Sequence, residues 1–479
     1  MPAYESVIGL EVHAQLKTRT KAFCGCPTAF GAPPNSQTCP VCLGLPGSLP
    51  VLNRRAVELA VRGALALDCS VRPHSSFARK NYFYPDLPKG YQITQYAEPL
   101  ATGGGVTIEV AGQPRRVGLV RLHLEEDAGK SIQDGMPDSD RHTYVDLNRA
   151  GVPLVEIVSE PEVGSPEEAY LFLERLRSVL LYVDVCDGTM EEGSLRCDAN
   201  VSVRPSGAAA LGTRTELKNL NSFRNVQRAL HYEIARQVEL LASGGSVARQ
   251  TVLWDAAAGV TRPMRGKEQE QDYRYFPEPD LPPLVLDPAW IEQIRGGLPE
   301  LPAERKLRLA AKHGLASDEA HRLSLEPRLA DYFEQVAERC GNARTAANFV
   351  LNDLPRECPG RRATDPLSPP AEQLAELIRL VDAGTISIGV ARRELFGELC
   401  RGGGPPRELV ARRGLEQLGD EAELRSLVRR VVAEHPAQVA QYRAGKQGLF
   451  GFLVGQAMRA SDGKADPRKL NDLLRQELG

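Results

Sequence analysis

The stretch Ser6-Val-Ile-Gly-Leu-Glu-Val-His-Ala-Gln-Leu-Lys17 decides the fold class of this 479-residue chain. Its apolar and polar residues alternate, and successive side chains of a β-strand point to opposite faces. One face would carry Ile8, Leu10, Val12, Ala14 and Leu16, and the other Glu11, His13, Gln15 and Lys17. The stretch therefore predicts a strand with one buried and one polar face, which is typical of antiparallel sheets.

Three further stretches, at 119–125, 195–204 and 213–219, show the same alternation, with Val120, Leu122 and Leu124 on the apolar face of the first. Their polar faces would carry Arg121, His123 and Glu125; Arg196, Asp198, Asn200, Ser202 and Arg204; and Arg214, Glu216 and Lys218. A wet sheet surface accounts for any one strand taken alone. Together, however, these faces place acids beside cations. Carboxylates are hard ligands for Mg²⁺ and cations neutralise phosphoryl charge, so the pattern indicates nucleotide chemistry on a sheet.

The usual phosphate-binding and nucleophile motifs are missing from the sequence. Gly129-Lys130-Ser131 ends like a P-loop, but Leu124 stands where the leading glycine is required. There is no Gly-x-Cys-x-Gly elbow, and Ser75-Ser76 lacks the glycine-rich surroundings of an amidase site. An ATP site would therefore be centred on a metal, and any ammonia would come from another subunit.

Four closely spaced cysteines form the strongest local motif. Cys24 and Cys26 are followed, across a short loop, by Cys39 and Cys42, and two such pairs can supply four thiolates to a tetrahedral, structural zinc. The alternative is four free thiols in a loop. The other cysteines are scattered singly, at positions 69, 186, 197, 340, 358 and 400. That distribution is typical of a reducing compartment, so we expect a cytoplasmic protein.

The bulk properties favour a globular protein without a membrane span. The first residues show no secretory signal, and no apolar run approaches the roughly 20 residues that a span needs. The formal net charge is −3, but the last third is dense in arginine. Such a segment suits either nucleic acid or a set of solvated helix faces.

The order of the patterns predicts an α+β protein of three domains. Helices are expected at 165–181, capped by Ser165, and at 222–242. A proline-rich boundary lies at 276–283, helical patterns follow from residue 288, and a Gly/Pro break lies at 402–406. We predict a mostly antiparallel-sheet cradle with an inserted zinc knuckle at 1–292, a helical domain at 293–405, and an all-helical tail at 406–479.

Several longer strings resemble the B subunits of aspartyl/glutamyl-tRNA(Asn/Gln) amidotransferases. They occupy residues 9–13, 39–44, 79–86, 123–130, 156–161, 190–194, 198–200, 218–223 and 272–279. Residues 451–458 and 463–467 resemble the family's tail, a helical module related to YqeY-like proteins. Asp466 stands where the family often has Asn, a nearly neutral change at a helix N-cap. The archaeal sister subunit has a large inserted domain, for which no space exists between Pro279 and Arg305.

The resemblance implies a reaction and a set of partners. Such a subunit uses ATP to phosphorylate the side-chain carboxylate of glutamate on tRNA(Gln), or of aspartate on tRNA(Asn). Ammonia from the glutaminase, which is the A subunit, then displaces the phosphate. The implied assembly is a heterotrimer with the small C subunit, acting after a non-discriminating aminoacyl-tRNA synthetase. ATP and Mg²⁺ are the implied cofactors, beside the structural zinc.

The resemblance also gives roles to residues of this chain. The catalytic, magnesium-binding set is Glu11, His13, Glu125, Asp198 and Glu216, with Glu126 as a further ligand of opposite strand parity. Because His is atypical for Mg²⁺, His13 would alternatively hold a metal-bound water. The expected phosphate contacts are Lys80, Arg196, Lys218 and Arg274. Tyr82, Asp86, Lys89 and Tyr91 would line the ammonia channel or substrate pocket, or else belong to the ordinary core. Arg412, Arg413, Lys446, Arg459 and Lys464 would contact tRNA.

Two other functions compete with this interpretation. The first is an ATP-dependent ligase that acts on a free small molecule. Under this function the arginine-rich helical tail would have no role. The second is a non-catalytic, zinc-dependent RNA-binding scaffold, for which the acidic residues Asp198 and Glu216 would be dispensable.

Overall fold

A computed structural model of the chain describes residues 4–133, 135–264, 273–417, 421–461 and 464–479. Asp272 and Gly463, each part of a string quoted above, lie outside the described residues. The chain divides into two compact units, Met1–Pro302 and Ala303–Gly479. The first combines a large, mostly antiparallel sheet with helices and the second is helical, which confirms the predicted mixed α+β class. The boundaries proposed at 292/293 and 405/406 stay predictions.

Within the described residues, all strands lie in the first unit. In chain order they are β1 (Tyr4–Gln15), β2 (Ser70–Val71), β3 (His74–Ser75), β4 (Ala78–Asn81), β5 (Tyr91–Thr94), β6 (Ala101–Thr102), β7 (Gly105–Val110), β8 (Gln113–Glu126), β9 (Lys130–Ile132), β10 (Tyr144–Asp146), β11 (Pro153–Ser159), β12 (Leu195–Pro205), β13 (Thr215–Leu220), β14 (Gln250–Asp255), β15 (Val260–Pro263), β16 (Phe276–Pro277) and β17 (Leu284–Val285).

Thirteen of the described strands form one sheet with β1 near its centre. The main order is β15-β14-β13-β12-β1-β11-β8-β5-β4-β16, while β7 and β6 also pair with β8, and β2 pairs with β6. Every pairing is antiparallel except β13 with β14. The predicted strand at 6–17 is confirmed in β1, whose residues alternate between buried and partly exposed positions.

The described helices of the first unit are α1 (Pro40–Leu43), α2 (Arg54–Ala66), α3 (Pro166–Tyr182), α4 (Phe223–Ala242) and α5 (Pro288–Gly296). Of these, chiefly α2, α3 and α4 pack on the apolar face of the sheet. Ile8, Leu10 and Val12 of β1 are almost fully buried in this core. Both predicted helices are confirmed: the hydroxyl of Ser165 accepts a hydrogen bond from the backbone N–H of Glu168, and Ser222 caps α4 in the same way.

One predicted core position is wrong. Val120 was expected to be buried with Leu122 and Leu124, but 40% of it is exposed. The register between β11 and β8 shifts at Val158/Ser159, where Val158 lies opposite Arg121 and Ser159 lies opposite Leu119. Because such a bulge leaves the extra residue unpaired, the strict alternation that predicts burial ends at this point.

The second unit is entirely helical within its described residues. Its helices are α6 (Pro302–His313), α7 (Ser317–Leu323), α8 (Pro327–Cys340), α9 (Ala343–Asn348), α10 (Leu354–Glu357), α11 (Ala371–Asp382), α12 (Ile388–Val390), α13 (Phe396–Cys400), α14 (Pro406–Arg413), α15 (Glu421–Glu434), α16 (Pro436–Arg443), α17 (Leu449–Ala460) and α18 (Pro467–Leu478), with π-helical turns at Phe349–Asp353 and Ala391–Leu395. Two apolar cores form here, one from residues 309–415 and one from residues 424–478. Leu409 and Val410 of α14 belong to the first of these cores. No helix of the described residues is long and apolar enough to cross a membrane.

Candidate functional site

The polar residues of neighbouring strands line up in rows across the sheet. One row runs His123 (β8), Glu156 (β11), His13 (β1) and Arg196 (β12), each directly opposite the next. The adjacent row runs Arg121, Val158, Glu11 and Asp198. Glu216 of β13 lies opposite Asn200 of β12. The register thus gathers polar residues from five strands on the face opposite the helices.

A cluster of two histidines and two glutamates lies in the middle of this face. His13 Nε2 lies 3.3 Å from Glu125 Oε1 and 3.4 Å from Glu156 Oε2. His123 Nε2 lies 3.4 Å from the same Glu156 oxygen and 3.7 Å from Glu125 Oε2. His13, Glu125 and Glu156 each have one possible ligand atom that lies within 4.8 Å of those of the other two. These three side chains can therefore bind one metal ion.

The electrostatics of this His/Glu cluster are those of buried ion pairs. Burial alone would lower the pKa of His13, but hydrogen bonds with Glu125 and Glu156 outweigh burial and raise the pKa to about 10. Burial acts to raise the pKa of Glu125, yet His123 and His13 hold it well below its usual range. His13 is therefore protonated at neutral pH without a metal. A metal ion that binds its Nε2 must displace that proton.

A second acidic group extends along β1, β12 and β13. Lys218 Nζ lies 2.9 Å from Asp198 Oδ2 and 2.9 Å from Glu216 Oε1. Asn200 Nδ2 donates to Glu11 Oε1 at 3.0 Å. Burial raises the pKa of Glu11, and the negative charges of Glu156, Asp198 and Glu216 raise it further. This mutual influence shows that the two acidic groups share one electrostatic environment.

The four cations predicted to contact phosphate have different surroundings. Arg196 Nη2 pairs with Asp127 Oδ1 at 2.9 Å, and Lys218 is held by two carboxylates. Lys80 Nζ lies 4.8 Å from the ring centroid of Tyr273, and its pKa is raised because the nearby charge of Glu125 outweighs the effect of burial. Arg274 is exposed, and its backbone carbonyl accepts a hydrogen bond from Asn81. Lys80 and Arg196, the latter directly opposite His13, are thus placed beside the His/Glu cluster.

Glu126 does not join the His/Glu cluster. Its side chain leaves β8 on the opposite face, where it forms an ion pair with Lys89 and accepts a hydrogen bond from the backbone N–H of Ile93 at 2.9 Å. Glu126 and Lys89 instead line a small cavity that also touches Cys42 and Tyr91. The predicted role of Glu126 as a further ligand of the same metal is thus corrected, because strand parity turns its carboxylate away.

The other predicted pocket residues have ordinary structural contacts. Tyr82 Oη donates to Gln92 Oε1 at 3.4 Å, and Asp86 Oδ2 accepts a hydrogen bond from Ser131 at 2.9 Å. The guanidinium of Arg79 lies 4.2 Å above the ring of Tyr91. A role in a channel or substrate pocket stays a prediction for Tyr82, Asp86, Lys89 and Tyr91.

The four cysteines of the predicted zinc knuckle do come together. The sulfur atoms of Cys24, Cys26, Cys39 and Cys42 all lie within 4.8 Å of one another. A hydrogen bond from Cys24 lowers the pKa of Cys42 to about 4, and the buried Lys21 contributes with its ammonium 3.6 Å from Cys42 Sγ. A preformed thiolate within a four-sulfur cluster fits a tetrahedral zinc ion.

The predicted tRNA contacts divide between the two cores of the helical unit. Arg412 and Arg413 of α14 pair with acids: Arg412 Nη2 lies 3.0 Å from Glu398 and Arg413 Nη2 lies 2.9 Å from Glu394. Lys446 and Arg459 are exposed, and Lys464 is partly exposed. Contact of these five side chains with tRNA stays a prediction.

Sequence reasoning missed three residues of the polar face. Glu156 and His123 complete the His/Glu cluster, and Arg121 lies in the row beside it. A signal for Glu156 was present, because it is the one charged residue in the apolar run 152–158, where an isolated carboxylate needs a specific partner. His123 and Arg121 were assigned to the polar face but were given no role.

Comparison with known proteins adds two family matches and close full-length relatives. Residues 6–292 match a family described as "GatB/GatE catalytic domain", and residues 331–478 match one described as "GatB domain". A protein of Carboxydothermus hydrogenoformans is 51% identical and covers 100% of this chain and 99% of its own length. One of Moorella thermoacetica is 52% identical over 99% and 100%. Both relatives are named as the B subunit of an aspartyl/glutamyl-tRNA(Asn/Gln) amidotransferase.

Proposed function

This chain belongs to the family of aspartyl/glutamyl-tRNA(Asn/Gln) amidotransferase B subunits, and we propose that it activates a tRNA-borne carboxylate with ATP. The substrate is glutamate on tRNA(Gln), aspartate on tRNA(Asn), or both. Ammonia then converts the activated carboxylate to the amide. The observation that carries this proposal is the His/Glu cluster, which the sheet register assembles beside Lys80, Glu11 and Asp198.

The proposed chemistry needs no nucleophile from the protein. An oxygen of the substrate's side-chain carboxylate attacks the γ-phosphorus of ATP, ADP leaves, and an acyl phosphate forms. Ammonia attacks the acyl carbon, inorganic phosphate leaves, and the amide nitrogen loses a proton. The protein has to hold the two reactants in line and neutralise the phosphoryl charge, which is the main task in phosphoryl transfer.

The residues of the polar face divide these tasks. His13, Glu125 and Glu156 would hold a divalent cation, which for carboxylate ligands and a nucleotide substrate is most simply Mg²⁺. When bound, the ion supplies positive charge to the phosphates. Glu11, Asp198 and Glu216 surround the neighbouring surface, where Lys218 keeps Asp198 and Glu216 in place. Lys80 would contact the transferred phosphoryl group, since it lies near Glu125, whereas Arg196 and Lys218 are already paired with carboxylates.

The remaining parts of the chain would serve assembly and substrate binding. The cysteine cluster fits a structural zinc with no open coordination position. A glutaminase, the A subunit, would release the ammonia, and the small C subunit would complete the heterotrimer. The helical unit would hold tRNA by phosphate and shape contacts, with Lys446, Arg459 and Lys464 as candidates beside Arg412 and Arg413.

The test is transamidation of labelled Glu-tRNA(Gln) and Asp-tRNA(Asn) by the chain combined with the glutaminase and the small third subunit. Ammonium replaces glutamine, so that the glutaminase step does not limit the reaction. We expect amidated tRNA from the wild type and a loss of about 10²-fold or more for Glu125→Gln, because a buried acid of the His/Glu cluster is removed. Glu239→Gln, an exposed position on α4, is the matched control.

The same assay separates the two competing functions. A ligase acting on a free small molecule would hydrolyse ATP without tRNA and form no amidated tRNA. A non-catalytic scaffold would leave amidation by the assembled complex unchanged in Glu125→Gln. Absence of product with both tRNAs, despite an intact complex, would contradict the proposal.

A further inference from the structure

Two of the cysteines that are scattered singly in the sequence meet in the helical unit. Cys358 directly follows α10, and Cys400 is the last residue of α13. Both thiols donate to the same carbonyl oxygen, that of Ser368 in the loop before α11, Cys400 Sγ at 3.4 Å and Cys358 Sγ at 4.0 Å. The fold thus brings two thiols from distant positions of the chain to one point.

The neighbouring residues hold the ends of these two helices together. A Cβ on Gly397 of α13 would lie only 2.6 Å from Oε2 of Glu357, so the Glu357 side chain occupies the space that a larger residue would need. The same carboxylate oxygen lies 4.0 Å from Nη1 of Arg401. The Ser368 hydroxyl donates to the backbone carbonyl of Cys400 at 2.8 Å. The approach of the two cysteines is therefore part of the packing of α10 against α13.

The two cysteines are accessible, and they differ in reactivity. Both are partly exposed and carry free thiols. Burial, and after it the neighbouring thiol of Cys358, raise the pKa of Cys400 to about 12. Cys400 therefore keeps its proton at neutral pH. Because the thiolate and not the thiol is the nucleophile, Cys358 would react first with an oxidant and Cys400 would follow.

The third cysteine of the helical unit shows the ordinary arrangement of a single thiol. Cys340 is the last residue of α8, and its Sγ donates to the carbonyl of Ala337, one turn back in the same helix, at 3.8 Å. Cys358 and Cys400 instead converge from two different helices on a carbonyl that belongs to neither. Their arrangement is that of a potential crosslink.

We propose that Cys358 and Cys400 form a reversible disulfide when the protein meets a peroxide. In the reducing compartment that the cysteine distribution predicts, the pair would rest as two thiols, and disulfides in such compartments are usually transient or redox-sensing. The proposal is independent of the proposed function, because it concerns the helical unit and not the polar face of the sheet.

The chemistry balances with one hydrogen peroxide for each disulfide. The Cys358 thiolate attacks a peroxide oxygen, the O–O bond breaks, and the leaving hydroxide takes up a proton to become water, so that Cys358 becomes a sulfenic acid. Cys400 then loses its proton, and its sulfur attacks the sulfur of Cys358. The S–O bond breaks and a second water leaves. The two thiols lose two electrons and two protons, and the peroxide takes up both.

The bond would join the ends of α10 and α13 and close the chain segment between them into a covalent loop. Such a crosslink stabilises a protein mainly by restricting its unfolded chain. We therefore expect the oxidised helical unit to unfold at a temperature about 5 °C higher than the reduced one.

The experiment treats the full-length chain with hydrogen peroxide, alkylates the remaining thiols and maps the disulfide-linked peptides by mass spectrometry. We expect one linked pair that contains Cys358 and Cys400, and we expect dithiothreitol to open it in the folded protein. The peptide map distinguishes this bond from any that forms among the four knuckle cysteines. Thermal unfolding of the oxidised and reduced protein measures the shift in temperature.

Cys358→Ser and Cys400→Ser should each abolish the linked pair and the rise in unfolding temperature. Cys340→Ser is the matched control and should retain both. Absence of the linked pair from the oxidised wild type would overturn the proposal, as would a bond from either cysteine to Cys340. A linked pair that dithiothreitol cannot open in the folded protein would contradict its reversibility.

Discussion

The described part of the first unit contains two clusters that can bind a metal, and they are built in opposite ways. The cysteine cluster takes all its ligands from residues 24–42, close together in the sequence. The His/Glu cluster takes His13 from β1, His123 and Glu125 from β8, and Glu156 from β11. The spacing of the cysteines in the sequence predicts the first cluster, whereas the second forms only because three strands pair in one register.

The two clusters also differ in how they would bind a metal. Four thiolates complete a tetrahedral zinc shell and leave no position for a substrate, which is typical of a structural site. One imidazole and two carboxylates leave an octahedral ion several open positions, which is typical of a site that binds phosphates. The difference fits the proposal, in which the cysteine cluster stabilises the fold and the His/Glu cluster takes part in the reaction.

The largest expected effect comes from Glu156→Gln, which tests whether Glu156 belongs to the reactive cluster. We expect kcat for tRNA amidation to fall about 10³-fold, because the variant loses a buried carboxylate that contacts both histidines and is proposed to bind the metal. The half-saturating Mg²⁺ concentration should rise as well. Zinc content should stay at the wild-type level, since the clusters share no ligand.

Glu160→Gln is a suitable control for this variant, because Glu160 follows β11 directly but is no part of the cluster. Normal activity and Mg²⁺ dependence in Glu156→Gln would show that the cluster does not bind the catalytic ion.

The next effect concerns the cysteine cluster. We expect Cys42→Ser to lose zinc and to lower the free energy of unfolding by about 3–4 kcal/mol, because a ligand bound only to the folded state stabilises it by mass action. Zinc analysis and thermal unfolding would measure both quantities. The kcat of the folded fraction should stay near the wild-type value. A large fall in kcat without a change in stability would assign the cysteines a role in the reaction.

The smallest expected effect is a pH dependence of the stability that the His/Glu cluster contributes to the metal-free protein. The folded-state pKa of His13 is raised from 6.5 to about 10, so its contribution to stability is fully present below pH 6.5 and is lost as the pH rises through about 10. The depressed pKa of Glu125 adds a contribution that is present above pH 4.5. The cluster should therefore stabilise most between about pH 4.5 and 6.5.

Urea unfolding in EDTA of wild type and His13→Gln would measure this contribution, which we expect to be on the order of 1–3 kcal/mol. His231→Gln is the matched control, because His231 pairs with Glu167 at the surface and such pairs contribute little. A difference between wild type and His13→Gln that does not decline toward pH 10 would contradict the assignment of a protonated His13.

The sequence alone predicted the parts of the molecule that depend on local spacing. The alternation in β1 identified the polar face of Glu11 and His13, and Ser165 and Ser222 marked the starts of two helices. The cysteine spacing identified a four-sulfur cluster. Strand periodicity and helix caps act over a few residues, so they can be recognised without knowledge of the fold.

Only the tertiary structure decided which polar residues meet. Strand pairing placed Glu156 beside His13, turned Glu126 toward Lys89, and set Arg121 in the row of Glu11. A bulge exposed Val120. Periodicity gives the face on which a side chain lies, but the register between strands far apart in sequence sets its neighbours, because a shift of one residue would move every side chain to the other face.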